Sequence, residues 1–164
     1  MRIAATAHKA GLPTNATMLY GHVENTEEKV YHLARLREVQ DETGGFLCYI
    51  PLSFHPERTE LEQLPGPTGC LDLKELAVGR LMLDNFPHIK AYWVMIGEET
   101  ASIALNFGAS DLDGTIGEER IAHAAKAASP VGLARTRMLR LIGDARKTPV
   151  ERDALYNEIH VYDS

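Results

Sequence analysis

The chain has 164 residues, the length of one ordinary domain, and a formal net charge of −6. No block of Lys and Arg interrupts that acidic balance, which excludes the electrostatic footprint of a nucleic-acid binder and disfavours anionic membranes. No apolar run is long enough to cross a bilayer, Met1-Arg2-Ile3-Ala4 lacks the pattern of a signal peptide, and the expected compartment is the cytosol.

Residues 2–10 are good helix formers, with Gly11 placed just past the end. No capping residue precedes this helix, so it starts abruptly, as a truncated chain would. Residues 14–20 are short, partly β-branched and bounded by Pro13 and Gly21, which predicts a strand. Asn25 and Glu28 form a capping-box pattern for a helix running to about 42, with Val30, Leu33, Ala34 and Leu36 at helical spacing. Gly44-Gly45 ends it. Residues 46–52 are almost continuously apolar, as in a parallel strand buried on both faces. A long loop with Pro56, Pro65, Gly66 and Pro67 follows, and its length predicts function or mobility.

Asp72 is the expected cap of the next helix, 73–85, and residues 89–95 read as a third strand. Residues 97–107 read as a helix closed by Gly108, 111–116 as a short fourth strand, and 118–127 and 133–145 as two further helices. The β/α units thus occupy 1–148, and a more polar tail occupies 149–164. Four strands separated by helices imply a parallel sheet. Tyr20-Gly21-His22-Val23-Glu24 is not the glycine-rich phosphate loop of a dinucleotide fold, whereas four units are half of an eight-unit barrel. Half a barrel leaves two sheet edges unpaired.

In such folds chemistry gathers where strands end. Tyr20, Gly21, His22 and Glu24 follow the first strand, and Ser53, His55 and Glu57 the second. Met95 and Glu98 follow the third; Asp111, Asp113, Thr115, Glu118 and Glu119 lie at the fourth. A metal-assisted hydrolase using His22, His55 and Asp113 has no H-x-H or H-E-x-x-H pairing behind it. Ser53 lacks a G-x-S-x-G elbow. The two cysteines, Cys48 and Cys70, form neither a disulfide framework nor a metal motif, and Cys48 reads as an inert core thiol. Tyr92 and Trp93 read as packing residues ahead of a purine-stacking platform.

Residues 11–24 resemble the fifth-strand segment of the radical S-adenosylmethionine (SAM) enzymes related to aminofutalosine synthase, futalosine cyclase and the deazaflavin synthases. Leu19, Gly21 and Glu24 match the loose G-x-I-x-G-x-x-E element that helps hold the SAM adenine, with Thr17 where the first glycine is expected. Residues 40–46, 77–93, 112–115 with Glu118-Glu119, and 149–157 match in order. Ile50-Pro51-Leu52-Ser53-Phe54-His55-Pro56 resembles the aminofutalosine synthase version of its stretch. Residues 128–132 are looser than the family's connection.

The resemblance implies half of a TIM-type barrel. It implies SAM and a [4Fe–4S] cluster as cofactors of the full-length family, although the C-x-x-x-C-x-x-C loop that ligates the cluster has no counterpart here. The implied reaction adds the 5′-deoxyadenosyl radical to 3-[(1-carboxyvinyl)oxy]benzoate to give aminofutalosine, in menaquinone biosynthesis. Leu19, Gly21, Glu24 and Pro51 are the candidate SAM-binding residues. The 21–24 loop and Pro51-Leu52 are expected to line one adenine slot, with a free carbonyl near Pro51. His55 and Asp113 are the candidate catalytic residues, and no metal ligand is expected.

The implied partners are a small-molecule substrate and a missing N-terminal half-barrel, or a second copy. A futalosine cyclase or deazaflavin-synthase-like fragment and a non-catalytic α/β binding module are the alternatives. Alone, the chain is expected to be inactive and to expose the inner faces of Ala91, Trp93 and Met95.

Overall fold

Local sequence sets the first elements. In the computed structural model, which describes residues 1–114 and 132–163, α1 spans Arg2–Lys9 and β1 spans Thr14–Tyr20. Helix α2, Thr26–Thr43, opens with the predicted capping box. Asn25 Oδ1 accepts from Glu28 N at 2.9 Å, and the Glu28 carboxylate accepts from Asn25 N at 2.8 Å. It stops at Gly44, whose φ of 60° is left-handed. Strand β2 is Phe46–Ser53, and α3 is Gly69–Met82.

The cap of α3 is Thr68, whose side chain accepts from Leu71 N, and not the expected Asp72. Asp72 lies one turn further in, where the helix no longer has free N–H groups to offer it. Strand β3 is His88–Ala91, shorter than expected. The following apolar residues form a helical turn, α4 (Trp93–Ile96), before α5 (Glu98–Ala104). A short apolar run signals burial rather than extension. Ala91 and Trp93 are fully buried, so the expected exposed inner face does not form there. Strand β4 is only Asp111–Leu112. The rest of the expected fourth strand, with Thr115 and Ile116, and the 118–127 helix with Glu118 and Glu119 lie outside the described residues. Helix α6 is Arg135–Asp144; the segment read as a polar tail contains β5 (Val150–Arg152) and β6 (Glu158–Val161), an antiparallel pair.

The four parallel strands stand in the order β1-β2-β3-β4, each beside its successor in the chain. This is half of a (β/α) barrel. Register and alternation assign the two faces. Ala16, Met18 and Tyr20 of β1, Tyr49 of β2, and Ile89 and Ala91 of β3 pack against Leu33, Leu36, Leu76, Leu83 and Phe86 in one core. The other face carries Asn15, Thr17 and Leu19, then Cys48, Ile50 and Leu52, then His88 and Lys90, then Asp111. No described helix is long and apolar enough to cross a membrane.

The hairpin closes part of that second face. Arg152 forms an ion pair with Asp111 and donates to His88 Nδ1 at 3.0 Å. Tyr156 stacks on the His88 ring at 4.3 Å. Accepting from a guanidinium requires an unprotonated Nδ1. Burial, then Arg152 and Arg80, hold the His88 pKa below its ordinary value.

Candidate functional site

The ends of β1 and β2 leave the sheet together. Tyr20 and Ser53 are register partners, and Phe54 N donates to Tyr20 O at 2.9 Å. The loop after β1 folds around Glu24, whose carboxylate accepts from Gly21 N at 2.6 Å and His22 N at 2.9 Å and lies 3.3 Å from His22 Nδ1. Gly21 has φ +88°, and a Cβ there would come 2.2 Å from Pro67 Cγ. Glycine is required on both counts, and the contact lays the end of the long loop against the exit of β1.

Burial raises the Glu24 pKa, but the backbone donors and His22 outweigh it and leave the group below its usual value. The folded value lies under the unfolded one. Glu24 therefore contributes stability above the ordinary glutamate range near pH 4.3, which is lost as pH falls through the lower folded value. Glu24→Gln is expected to cost about 1–2 kcal/mol at pH 7 and progressively less as pH falls below the ordinary glutamate range, in urea titrations at neutral and acid pH. An equal cost at both would show that the carboxylate charge is not what the loop uses.

His55 follows β2 and is half-buried. Its Nε2–H donates to Met95 O at 2.9 Å, so in the neutral ring Nδ1 is the acceptor. The ring thus ties the β2 loop to α4. Beneath it, Tyr20 and Ser53 donate to Asp72 Oδ1 at 2.6 and 3.0 Å. Burial dominates the Asp72 carboxyl and raises its pKa despite those donors. Lys29 and Glu75 form a further buried ion pair between α2 and α3.

The expected SAM-binding residues divide. Leu19 is 46% exposed on the uncovered face beside its partner Leu52, and the 21–24 loop lies at the same end of the sheet. Pro51 pairs with Met18 and is buried on the helix-covered face, so its ring does not line a slot with Leu19. Leu52, the other residue of the expected pair, faces that side with Leu19. Asp113 does not join His55. Its Oδ1 accepts from Lys90 Nζ at 2.6 Å, its carbonyl accepts from Trp93 Nε1, and its side chain lines a cavity of about 880 Å³ with Lys90, Asp111, Arg152 and Tyr156. His55 is not among the residues lining it.

Sequence reasoning missed Asp72 as a site residue, and missed the His88, Lys90 and Arg152 cluster. The only signal for Asp72 was a second possible cap, Thr68, four residues before it. Three thiolates for a [4Fe–4S] cluster cannot come from this chain. Cys48 is fully buried with its thiol pushed up by burial, and Cys70 is exposed on α3. Among the described residues no group of three His, Cys, Asp or Glu side chains is placed to hold a metal.

A parallel half-barrel with its polar loops at the strand ends is the framework of a β/α-barrel enzyme. Residues 43–163 match the CofH/MqnC C-terminal region, and the chain belongs to that family. It is 52% identical, over 99% of its length, to an aminodeoxyfutalosine synthase of Thermus thermophilus, and 43% identical to one of Streptomyces coelicolor. It is 40% identical over 97% of its length to a 5-amino-6-(D-ribitylamino)uracil–L-tyrosine 4-hydroxyphenyl transferase of Methanothermobacter thermautotrophicus. The chain spans about 45% of the length of each of these relatives.

Proposed function

We propose that this chain is the C-terminal portion of an aminofutalosine synthase, a radical SAM enzyme of menaquinone biosynthesis. The observation that carries this reading is the 52% identity, across nearly the whole chain, to a relative of that name. In the proposed enzyme SAM supplies the 5′-deoxyadenosyl group that is joined to 3-[(1-carboxyvinyl)oxy]benzoate. The iron–sulfur ligands belong to the part of the barrel that this chain does not supply.

The residues here form the far wall. Leu19 and Leu52 offer an apolar surface to the adenine. Glu24 acts on the loop rather than on the ligand, because its oxygens are engaged by Gly21 and His22. His55 presents Nδ1 to a substrate carboxyl, as a hydrogen-bond partner or proton carrier. The open edges of the sheet take up the remaining half-barrel, and without it the chain is inactive and self-associates.

Co-production of this chain with the N-terminal portion of the Thermus relative tests the reading. The expected product from 3-[(1-carboxyvinyl)oxy]benzoate and SAM is aminofutalosine. A product formed only from tyrosine and the ribitylaminouracil would move the chain to the transferase group instead. In the same assembly His55→Ala is expected to lower turnover about 100-fold or more while SAM affinity stays within about twofold. Unchanged turnover would remove His55 from the site.

A further inference from the structure

The polar groups buried beneath the rim are costly. Tyr20, Ser53 and Asp72 are 0%, 4% and 5% exposed, and both hydroxyls converge on a single oxygen of Asp72. Thr68 caps α3, so the Asp72 carboxyl is not spent on the helix. An apolar side chain of similar volume would fill the same space without burying a carboxyl. What the carboxyl achieves is geometric. Its two donors are the last residues of adjacent strands, and its own backbone belongs to a third element. Directly beyond the donors come the 21–24 loop on one side and Phe54-His55 on the other. Phe54 N, bonded to Tyr20 O, sits where the two meet.

We propose that Asp72 is a positioning residue: it clamps the ends of β1 and β2 to the first turn of α3, so that the 21–24 loop and His55 face one ligand. The assignment rests on the reading of this rim as the ligand-facing end. Hydrogen-bond acceptance, not charge, is the property it uses. An asparagine at 72 keeps an oxygen able to accept both hydroxyls, whereas an alanine leaves two buried donors unpaired.

The test compares Asp72→Ala, Ser53→Ala and Asp72→Asn with the unaltered protein, each assembled with the N-terminal portion of the Thermus relative, by amide hydrogen exchange, by ¹⁵N shifts of the His55 ring, and by affinity for S-adenosylhomocysteine. In the two alanine variants the Phe54 amide is expected to exchange about tenfold faster or more, and the His55 ring to lose its single Nε2–H signature. Probe affinity is expected to fall about tenfold in Asp72→Ala. Asp72→Asn restores all three. Should Asp72→Ala fail to fold, Ser53→Ala, which leaves the Tyr20–Asp72 bond in place, carries the comparison. Unchanged Phe54 exchange and an unchanged His55 tautomer in the alanine variants overturn the clamp. So does a loss in Asp72→Asn as large as that in Asp72→Ala. If the unaltered assembly does not bind the probe, the ligand reading of the rim fails, and exchange and tautomer still decide the clamp.

Discussion

Replacing Lys29 with methionine is expected to cost about 3–5 kcal/mol of folding stability. The Lys29 and Glu75 side chains are 18% and 5% exposed, and they join α2 to α3 under β1. Removing the ammonium leaves a carboxylate in the core, close enough to Tyr49 to add to the rise that burial gives the pKa of its hydroxyl. Urea denaturation measures the loss. The double variant Lys29→Met/Glu75→Leu should recover most of it, because the penalty comes from the stranded charge and not from the missing bond. A single variant within about 1 kcal/mol of the parent would mean that water reaches Glu75 and that the pair is a surface one.

The second large effect is expected at Arg152. Asp111 is 9% exposed, and its charge is met by Arg152 from the hairpin. Arg152→Met removes its guanidinium partner and leaves the carboxylate to Ser110 Oγ and, at 3.3 Å, His88 Nδ1, at a cost of about 3 kcal/mol. It also removes the donor to His88 Nδ1 and the guanidinium stacked 5.1 Å from the Tyr156 ring. The hairpin then keeps few tethers to the sheet, so limited proteolysis is expected to cut near 147–149 in the variant and not in the parent. Equal cleavage in both would show that the hairpin is held by other contacts. The two predictions probe different layers of the molecule: one lies between sheet and helices, the other on the uncovered face.

Much of this architecture was legible in the residues. The capping box at Asn25 and Glu28, the left-handed Gly44 and the apolar run of β2 are local signals with local causes, and they placed α2 and β2 to within a residue or two. Trp93 and Val94 misled because their apolar character reports burial, and a helical turn buries them as completely as a strand does. Asp72 misled for the opposite reason. A carboxylate near a helix start looks like a cap, and only the tertiary structure shows Tyr20 and Ser53 converging on it.

The site was half legible. Leu19, Gly21 and Glu24 were found through a motif, and the structure puts them at one strand end. The motif did not show that Glu24 serves its own loop. Pro51 and Leu52 are expected together at the strand end; they lie there, and strand alternation turns the Leu52 side chain toward Leu19 and the Pro51 ring toward the helices. Asp113 and His55 each read as candidate catalytic residues at strand ends. Lys90 holds Asp113 in a different cluster, and that pairing spans 23 residues in which no sequence pattern announces it.

Each strand of the sheet lies beside the one that follows it in the chain, so the paired residues are 21 to 40 positions apart. The hairpin departs from this pattern, since Arg152 reaches back 64 residues to His88. Loop-closure entropy grows only with the logarithm of length, so at equilibrium the difference is small. In time it matters more, because distant contacts form after near ones. During synthesis the sheet can assemble while the hairpin is still inside the ribosome. His88 and Asp111 then stay uncovered until the hairpin emerges.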